Sequence, residues 1–300
     1  MWTMSILISG EILETLHHEL QNADESVQII SAYCKENTIM KLDGMIPSGV
    51  SNRKLMVRFR LDDIVKGSSD IAAAEYCLKK GWEVYFRFDL HVKTYIVDCK
   101  RGILGSANAT NSGLGLSKRS NLEMATLVDI EPKDMQKIAK LYQQAIPADI
   151  ILLDKMKEEI SKSNSNSSAS SLSWSQEITD LFNPTVETLF SYELPDSNKL
   201  DGYISFLDVD LNGDLQAVKN TFRWSTAYLW LLQTLQKHDG EMYFGSLTQE
   251  LHNTLVTDPK PYRKDVKQQL ANLLSIIEQL NMDEIVIDTP NYSQRVRLAK

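Results

Sequence analysis

The sequence is poor in cysteine and has no long hydrophobic run. Its three cysteines, Cys34, Cys77 and Cys99, form no CxxC pair, which argues against a disulfide framework and a cysteine-based zinc site. The longest apolar run, 227–232, is far shorter than the ~18–20 residues that span a bilayer. The first residues lack the basic segment and the apolar stretch of a signal peptide. We therefore expect a cytoplasmic protein with no membrane partner.

Positive charge is also scarce. The 32 Lys and Arg residues are outnumbered by 40 Asp and Glu residues, which gives a net charge of -8 and by itself argues against a polyanionic ligand. The excess is local, however, because residues 171–218 contain nine acidic residues and one basic residue. The remainder of the chain is close to neutral, so nucleic acid stays a possible partner.

A composition break divides the chain. Residues 161–175, SKSNSNSSASSLSWS, are mostly Ser and Asn and predict a flexible linker. A length of 300 residues also predicts two domains, at roughly 100–200 residues each. We expect a first domain over 1–160 and a second over 176–300.

The first domain has the pattern of an α/β fold. Alternating helix-like and strand-like segments give way to consecutive strands, which predicts a mixed β-sheet flanked by helices. The predicted helices are 10–22, 36–46, 70–80 and 132–146, and the predicted strands are 27–33, 55–59, 82–88, 91–97, 103–109 and 122–129.

The second domain is predicted to be smaller and mainly helical. Helices at 221–237, 246–254 and 262–280 precede strands at 284–287 and 295–298, which is the order of a winged helix over about 219–300. Asn212-Gly213 predicts a hairpin turn. Residues 208–213 resemble the start of an EF-hand loop, but Lys219 stands where that loop needs a Glu, so we prefer the turn.

Polar residues with complementary chemistry cluster between 91 and 108. His91 and Lys93 share one face of a predicted strand, and Ser106 and Asn108 share a face of the next. An imidazole, an ammonium, a hydroxyl and an amide would be costly to bury together without an anion or water. A phosphodiester fits this set, because neutral imidazole can attack phosphorus while Lys93 and Asn108 stabilise the oxygens.

These residues resemble the signature HxK(x)4D(x)6GSxN of the phospholipase D, or HKD, superfamily at every specified position, with Asp98 as its acidic residue. The resemblance implies a phosphohistidine intermediate and no metal or other cofactor. It makes His91 the nucleophile or acid and gives phosphate binding to Lys93, Ser106 and Asn108. Asn121-Leu122-Glu123 resembles the element whose Glu orients the histidine. Asp98 lies on the opposite face of the strand or in the turn, which favours a structural role for it.

The motif occurs once, although larger members of the superfamily carry two copies. None of the other histidines, His17, His18, His238 and His252, begins an HxK sequence. The mechanism uses two histidines at one phosphorus, so we expect a twofold homodimer with a composite site. Single-motif members include HKD-type restriction endonucleases of the NgoFVII and BfiI kind, whose DNA-binding domain follows the catalytic one. A methyltransferase or helicase partner stays open.

We therefore expect a homodimeric, metal-independent HKD endonuclease that acts on DNA in a restriction or defence system. A catalytically inactive DNA-binding regulator and an HKD phosphodiesterase acting on phospholipid are the alternatives. The basic residues that could contact DNA are Lys260, Arg263, Lys264 and Lys267 before and on the last helix, with Arg295 and Arg297 on the candidate wing; an ordinary solvated surface is the competing interpretation. The acidic segment 171–218 is either an acidic surface or a phosphate mimic that restrains cleavage.

Overall fold

The computed structural model describes residues 5–164, 172–201 and 215–299. The chain divides into two compact units, Met1–Asn183 and Pro184–Lys300. The first unit contains a large mixed sheet with helices, and the second is mainly helical with a small sheet. The α/β fold class expected from the sequence is confirmed.

The first unit contains more elements than the sequence predicts, because β1, α3, β8, α6 and α7 are additional. Its elements are β1 (Ser5–Ile8), α1 (Gly10–Gln21), β2 (Ser26–Ser31), α2 (Glu36–Asp43), β3 (Asn52–Arg58), α3 (Leu61–Val65), α4 (Ile71–Lys79), β4 (Glu83–Arg87), β5 (Lys93–Val97), β6 (Arg101–Gly105), β7 (Met124–Asp129), α5 (Pro132–Gln143), β8 (Ile146–Ala148), α6 (Ile150–Asn164) and α7 (Gln176–Thr179). The extra strands are only three or four residues long, too short for a clear period-2 pattern.

Eight strands form one sheet in the order β1-β7-β6-β5-β2-β3-β4-β8. The pairs β2–β3 and β3–β4 are parallel, and the other pairs are antiparallel. All six residues of the central strand β2 are buried, the polar Ser26, Gln28 and Ser31 as well as the apolar Val27, Ile29 and Ile30. Ser31 at the end of β2 lies opposite both Val57 near the end of β3 and Lys93 at the start of β5. The carboxyl ends of β2 and β3 and the start of β5 therefore share one edge of the sheet.

Helices cover the sheet through apolar faces. Helix α1 contacts β1, β5 and β6 and buries Ile12, Leu16 and Leu20 completely. Each such side chain contributes about 1.5–3 kcal/mol by its removal from water. Helix α5 packs on a second cluster, made of Ile30, Met56, Leu90 and Ile96, against which lie Tyr85, Ile130, Met135, Ile138, Leu141, Tyr142 and Ala145.

The second unit has the element order and the strand order of a winged helix. Its elements are α8 (Leu215–Phe222), α9 (Thr226–Lys237), β9 (Glu241–Tyr243), α10 (Phe244–Thr254), α11 (Arg263–Leu280), β10 (Ile285–Asp288) and β11 (Arg295–Leu298), with 3-10 turns at Ser191–Glu193 and Pro290–Tyr292. The three strands form an antiparallel sheet in the order β10-β11-β9. The short strand β9 is not predicted from the sequence. The apolar face predicted for the last helix is buried: Val266, Leu270, Leu273, Leu274, Ile277 and Leu280.

The division between the units lies later than the predicted linker at 161–175. Helix α6 continues to Asn164, and Trp174 is only 6% exposed, with its indole Nε1 donating to the carbonyl of Phe59. Residues 165–171 lie outside the described residues. The difference has a physical cause, because one buried indole anchors the end of a polar segment whose composition otherwise predicts a free chain.

Several sequence features fall in the undescribed range 202–214, among them the Asn212-Gly213 turn, the EF-hand-like loop, Asp208 and Asp210. Across 5–164, 172–201 and 215–299, no helix has both the length and the hydropathy that a bilayer crossing requires. Within the same ranges, no group of three or more His, Cys, Asp or Glu side chains is arranged to hold a metal ion.

The anchoring role of Trp174 can be tested by Trp174→Ala. We expect this change to lower the free energy of unfolding of the first unit by ~3–5 kcal/mol, because it removes a large buried ring and its hydrogen bond. Urea unfolding monitored by circular dichroism measures the change. Leu181→Ala is the matched control, since Leu181 is 53% exposed in the same segment. Equal effects of the two changes would contradict the anchor.

Candidate active site

His91 and Lys93 form the centre of the candidate site. His91 immediately precedes β5, and Lys93 is its first residue. The Lys93 Nζ atom lies 3.2 Å from both ring nitrogens of His91 and donates to the His91 carbonyl at 2.8 Å. The sequence predicts a strand beginning at 91, whereas the ladder begins at Lys93. The two side chains nevertheless meet as expected.

The surroundings of His91 favour its neutral form. The side chain remains exposed, yet partial loss of hydration, followed by the positive charges of Lys93, Arg58 and Arg60, lowers the pKa of His91 below 6.5. An imidazole with a lowered pKa is unprotonated at neutral pH, and only the unprotonated nitrogen has the lone pair that a nucleophile needs.

Lys93 is a cation without an anion. Desolvation and the charge of Arg58 lower the pKa of Lys93, and Glu123 opposes this shift. In the described part of the chain, no carboxylate lies within ion-pair distance of its ammonium. A partly desolvated ammonium with no counterion is suited to bind a phosphate oxygen.

Asn108 presents an amide donor beside these residues. Its Oδ1 accepts from the backbone N–H of Tyr33 at 3.1 Å and from the Ser31 hydroxyl at 3.4 Å. Because a backbone N–H can only donate, this bond assigns the oxygen and leaves the Nδ2 donors on the other side. Gly113 packs so closely that a Cβ there would lie 2.6 Å from the Asn108 carbonyl oxygen. The turn that positions Asn108 therefore requires glycine at 113.

Ser106 and Glu123 interact with each other. Strand β6 ends at Gly105, so Ser106 and Asn108 lie beyond the strand on which they were predicted. The Ser106 hydroxyl donates to Glu123 Oε2 and accepts from the backbone N–H of Met124 at 3.0 Å. Asn121 Nδ2 donates to Glu123 Oε1 at 3.0 Å.

This arrangement differs from the roles that the family resemblance implies. Glu123 is 8% exposed, and in the described residues no hydrogen bond joins it to His91. The Ser106 hydroxyl donates to Glu123. Gly105 fits the same packing, since a Cβ there would overlap the carbonyl of Met124 on β7. Ser106 and Asn121 therefore position the carboxylate of Glu123.

Asp98 lies away from this group, at the opposite end of β5. Its carboxylate accepts backbone N–H donors from Asp24, Glu25 and Ser26 at 2.7–3.2 Å. The pKa of Asp98 is lowered by these hydrogen bonds, with burial opposing them. Asp98 was grouped with the catalytic residues by its place in the motif, but it holds the turn that leads into β2. The structural role suggested by its spacing agrees with this position.

Sequence reasoning missed Arg58, Arg60 and Tyr33, which adjoin the site. Arg58 ends β3, contacts Asp63 at 2.8 Å through two nitrogens and stacks on Tyr33 with its Cζ 4.7 Å from the ring centroid. The signal was available as Arg58-Phe59-Arg60 after a buried apolar run. Such cations at the carboxyl end of a parallel strand lie where α/β proteins place their ligands.

A cavity of about 650 Å³ adjoins Asn108. Its lining has no aliphatic side chain and consists of Tyr33, Lys35, Asn37, Gly67, Ser68, Asp70, Asn108, Thr110, Asn111, Ser112, Ser117 and Asn121. The one ion pair in it, Lys35 with Asp70 at 2.8 Å, is internally neutral.

The basic residues of the second unit fall into two groups. Lys260, Arg263, Lys264 and Lys267 are exposed, and none makes an ion pair within the residues that the structure describes. Arg295 and Arg297, by contrast, contact Asp288 at 2.8 and 3.5 Å. Arg295 lies directly opposite Asp288 in the ladder, so the hairpin register brings the charges together. The wing arginines predicted to contact DNA are thus already paired.

Comparison with known proteins finds a family that matches part of the first unit. Residues 16–146 match the family described as "Cardiolipin synthase, PLD-like domain". This part of the chain is similar to a phospholipase D-like domain. The matched range contains His91, Lys93, Ser106, Asn108 and Glu123 and spans somewhat less than half of the chain. No protein with a curated description matches the sequence significantly.

Solved structures resemble about half of the chain. The phospholipase D family member Nuc from Salmonella typhimurium is 19% identical, with a TM-score of 0.40 over 49% of this chain and 99% of that one. NucT from Helicobacter pylori is 18% identical, with a TM-score of 0.37 over 48% of this chain and 94% of that one. Phosphatidylserine synthase from Haemophilus influenzae is 13% identical, with a TM-score of 0.36 over 55% of this chain and 46% of that one. These values are too low to assign a substrate or a partner to this chain.

The electrostatic effect of Lys93 on His91 can be measured directly. We expect the His91 ring to titrate below pH 6.5 in the unaltered protein and at a higher pH in Lys93→Gln, because removal of a neighbouring cation favours the imidazolium. NMR titration of the ring protons gives both midpoints. Lys100→Gln at the other end of β5 is the control, since Lys100 pairs with Glu25. An unchanged midpoint in Lys93→Gln would show that Lys93 does not set this pKa.

Proposed function

We propose that the chain is a metal-independent phosphodiesterase that cleaves DNA through a phosphohistidine intermediate. The observation that carries the proposal is the meeting of a neutral, exposed imidazole with an unpaired ammonium and a free amide donor. These are a nucleophile and two stabilisers of phosphoryl oxygens, at one position. The match of residues 16–146 to a phospholipase D-like family supports this chemistry.

The proposed reaction has two steps. An imidazole nitrogen of His91 attacks phosphorus, the N–P bond forms, and the P–O bond to the leaving group breaks. A second, protonated histidine gives its proton to the leaving oxygen. In the second step, water attacks phosphorus, the second histidine takes the water proton, and the N–P bond breaks. Lys93 and Asn108 hold the phosphoryl oxygens in both steps, since the charge there is greatest in the transition states.

The second histidine is proposed to come from a second copy of the chain. The sequence has one HxK motif, so a twofold dimer is the simple way to bring two His91 side chains to one phosphorus. An exposed apolar surface near the site supports this assembly. Ile8 faces Met124 across the β1–β7 pair, and Ile6 and Leu104 flank Thr126 on the same face. The exposed members are Ile6 at 68%, Ile8 at 45%, Leu104 at 39%, Met124 at 58% and neighbouring Leu122 at 86%.

DNA is the proposed substrate because of the second unit. Its winged-helix order places α11 as the candidate recognition helix, and four unpaired cations lie before and on its first turns. A cytoplasmic restriction or defence role follows from pairing a nuclease with a DNA-binding unit. Phospholipid hydrolysis and an inactive regulator are alternative outcomes of the test below.

Plasmid cleavage tests the function. We expect the purified protein to nick or linearise supercoiled DNA in EDTA, because the proposed mechanism uses histidine and lysine only. His91→Ala should lower the rate by at least ~10³-fold, as expected when a nucleophile is lost. His17→Ala, an exposed histidine on α1, is the matched control and should cleave normally. Intact plasmid in all conditions, from protein shown to be dimeric by light scattering, would reject the nuclease. Release of phospholipid headgroups by the same preparation would point to lipid.

The two groups of basic residues predict different effects on DNA binding. Lys264→Gln with Lys267→Gln should weaken binding and reduce the slope of log K against log salt by about 2, because each phosphate contact contributes ~0.9. Arg295→Gln with Arg297→Gln should change the slope little and should lower stability, because it leaves Asp288 without its partners. Fluorescence anisotropy with duplex DNA at several salt concentrations measures both. If only the Arg295 and Arg297 changes reduced the salt dependence, the DNA contacts would lie on the wing and not on α11.

A further inference from the structure

Arg60 is a cation whose role is not explained by the site described above. It follows β3 and is partly buried, and its Nε donates to the carbonyl of Phe88. Phe88 and His91 lie in one short segment between β4 and β5. The positive charge of Arg60 contributes to the lowered pKa of His91, so the guanidinium lies near the imidazole.

The local charges leave Arg60 without a partner. Three arginines and two aspartates occupy this edge of the sheet. Arg58 contacts Asp63 through two nitrogens at 2.8 Å, and Arg87 contacts Asp89 through two nitrogens at 2.9 and 2.8 Å. Both carboxylates therefore already have a guanidinium. Among the described residues, none forms an ion pair with Arg60.

An unpaired, partly desolvated guanidinium is unfavourable in the free protein. Desolvation, followed by the charge of Arg58, lowers the pKa of Arg60, and the charges of Asp63 and Asp89 only partly oppose this shift. A guanidinium has five N–H donors, and the contact with Phe88 uses only one nitrogen. A neutral side chain at position 60 would avoid the cost of desolvating this charge. The guanidinium is therefore explained best if its charge binds an anionic ligand. An anion with several oxygens, such as a phosphate, matches the remaining donors.

The phosphate that His91 attacks already has ligands in Lys93 and Asn108. Arg60 reaches the site from the end of β3, whereas Lys93 lies on β5 and Asn108 beyond β6. Strand β2 lies between β3 and β5 in the sheet, so Arg60 approaches from a different side. Its charge is therefore available to a second anionic group of the same substrate.

We propose that Arg60 binds a second phosphate of the substrate, next to the phosphodiester that His91 attacks. This inference rests on the proposed phosphodiesterase function and narrows its substrate class to molecules with at least two linked phosphates. A polynucleotide has them along its whole backbone, and a bisphosphorylated lipid has them across its headgroup. A lipid with one phosphodiester does not.

Short substrates separate the two phosphates. We would compare kcat/KM for dTpdT, which has one phosphodiester, with pdTpdT and dTpdTp, which carry an added terminal phosphate. In the unaltered protein we expect one of the added phosphates to raise kcat/KM by about 10- to 100-fold, the effect of a charge-assisted contact. In Arg60→Gln that ratio should fall to about 1, and Arg60→Lys should keep part of it. Lys100→Gln, an exposed cation at the far end of β5, should keep the full ratio.

A stability measurement separates binding from a structural role. Arg60→Gln should change the melting temperature little, because the removal of a partly desolvated charge that forms no ion pair offsets the loss of the hydrogen bond to the Phe88 carbonyl. Arg58→Gln should melt lower, because Asp63 then loses its partner. The proposal would be overturned if Arg60→Gln kept the whole increase in kcat/KM that the added phosphate gives. It would also be overturned if neither added phosphate raised kcat/KM in the unaltered protein. A lower melting temperature of Arg60→Gln combined with an unchanged ratio would overturn it too.

Two further arms distinguish this inference from the proposed function. Hydrolysis of bis(p-nitrophenyl) phosphate reports the chemistry with a single phosphate, and its absence would reject the phosphodiesterase itself. Binding of pdTpdTp to His91→Ala protein, measured by calorimetry, tests Arg60 without catalysis, and Arg60→Gln in that background should weaken it about 10- to 100-fold. A higher kcat/KM for cardiolipin than for phosphatidylglycerol, with no increase from a second phosphate on nucleotides, would support a second phosphate site but reject DNA as its ligand.

Discussion

Positive charge gathered at one edge of a mixed sheet is the constraint on which the candidate site depends. The carboxyl ends of β2 and β3 and the start of β5 meet there, and they bring Arg58, Arg60, Lys93 and His91 together. Like charges at short range are tolerated only if carboxylates or a bound anion compensate them. Asp63 and Asp89 pair with Arg58 and Arg87, whereas Arg60 and Lys93 form no ion pair with any residue that the structure describes. The same positive charges, together with desolvation, lower the pKa of His91, so they favour both anion binding and the nucleophilic form of the imidazole.

The polar residues around this charge form two hydrogen-bonded groups, one around Asn108 and one around Glu123. Ser31 and the Tyr33 backbone hold the oxygen of Asn108, which leaves its amide donors for a ligand. Ser106 and Asn121 hold Glu123, which is nearly buried. In the family resemblance, Ser106 is assigned to phosphate and Glu123 to the histidine. In the described residues the two side chains hydrogen-bond each other, and no hydrogen bond joins Glu123 to His91.

In the second unit, ion pairing decides which basic residues are available to bind a phosphate. Arg295 and Arg297 look equivalent to Lys264 and Lys267 in the sequence, because all four are cations near predicted DNA-contacting elements. The hairpin register sets Arg295 against Asp288, and Arg297 contacts the same carboxylate. A paired guanidinium has less to gain from a phosphate than an exposed and unpaired lysine.

Local patterns in the sequence were enough to determine much of this protein. The α/β class, the winged-helix order and the meeting of His91 with Lys93 follow from periodicities and spacings within short segments, which act over a few residues. The tertiary structure alone decided which arginines keep a free charge, that Asp98 holds a distant turn, and that Trp174 anchors a polar segment. These outcomes depend on which strands become neighbours and on their register. That is non-local information, because a residue's partner in space can lie dozens of positions away in the chain.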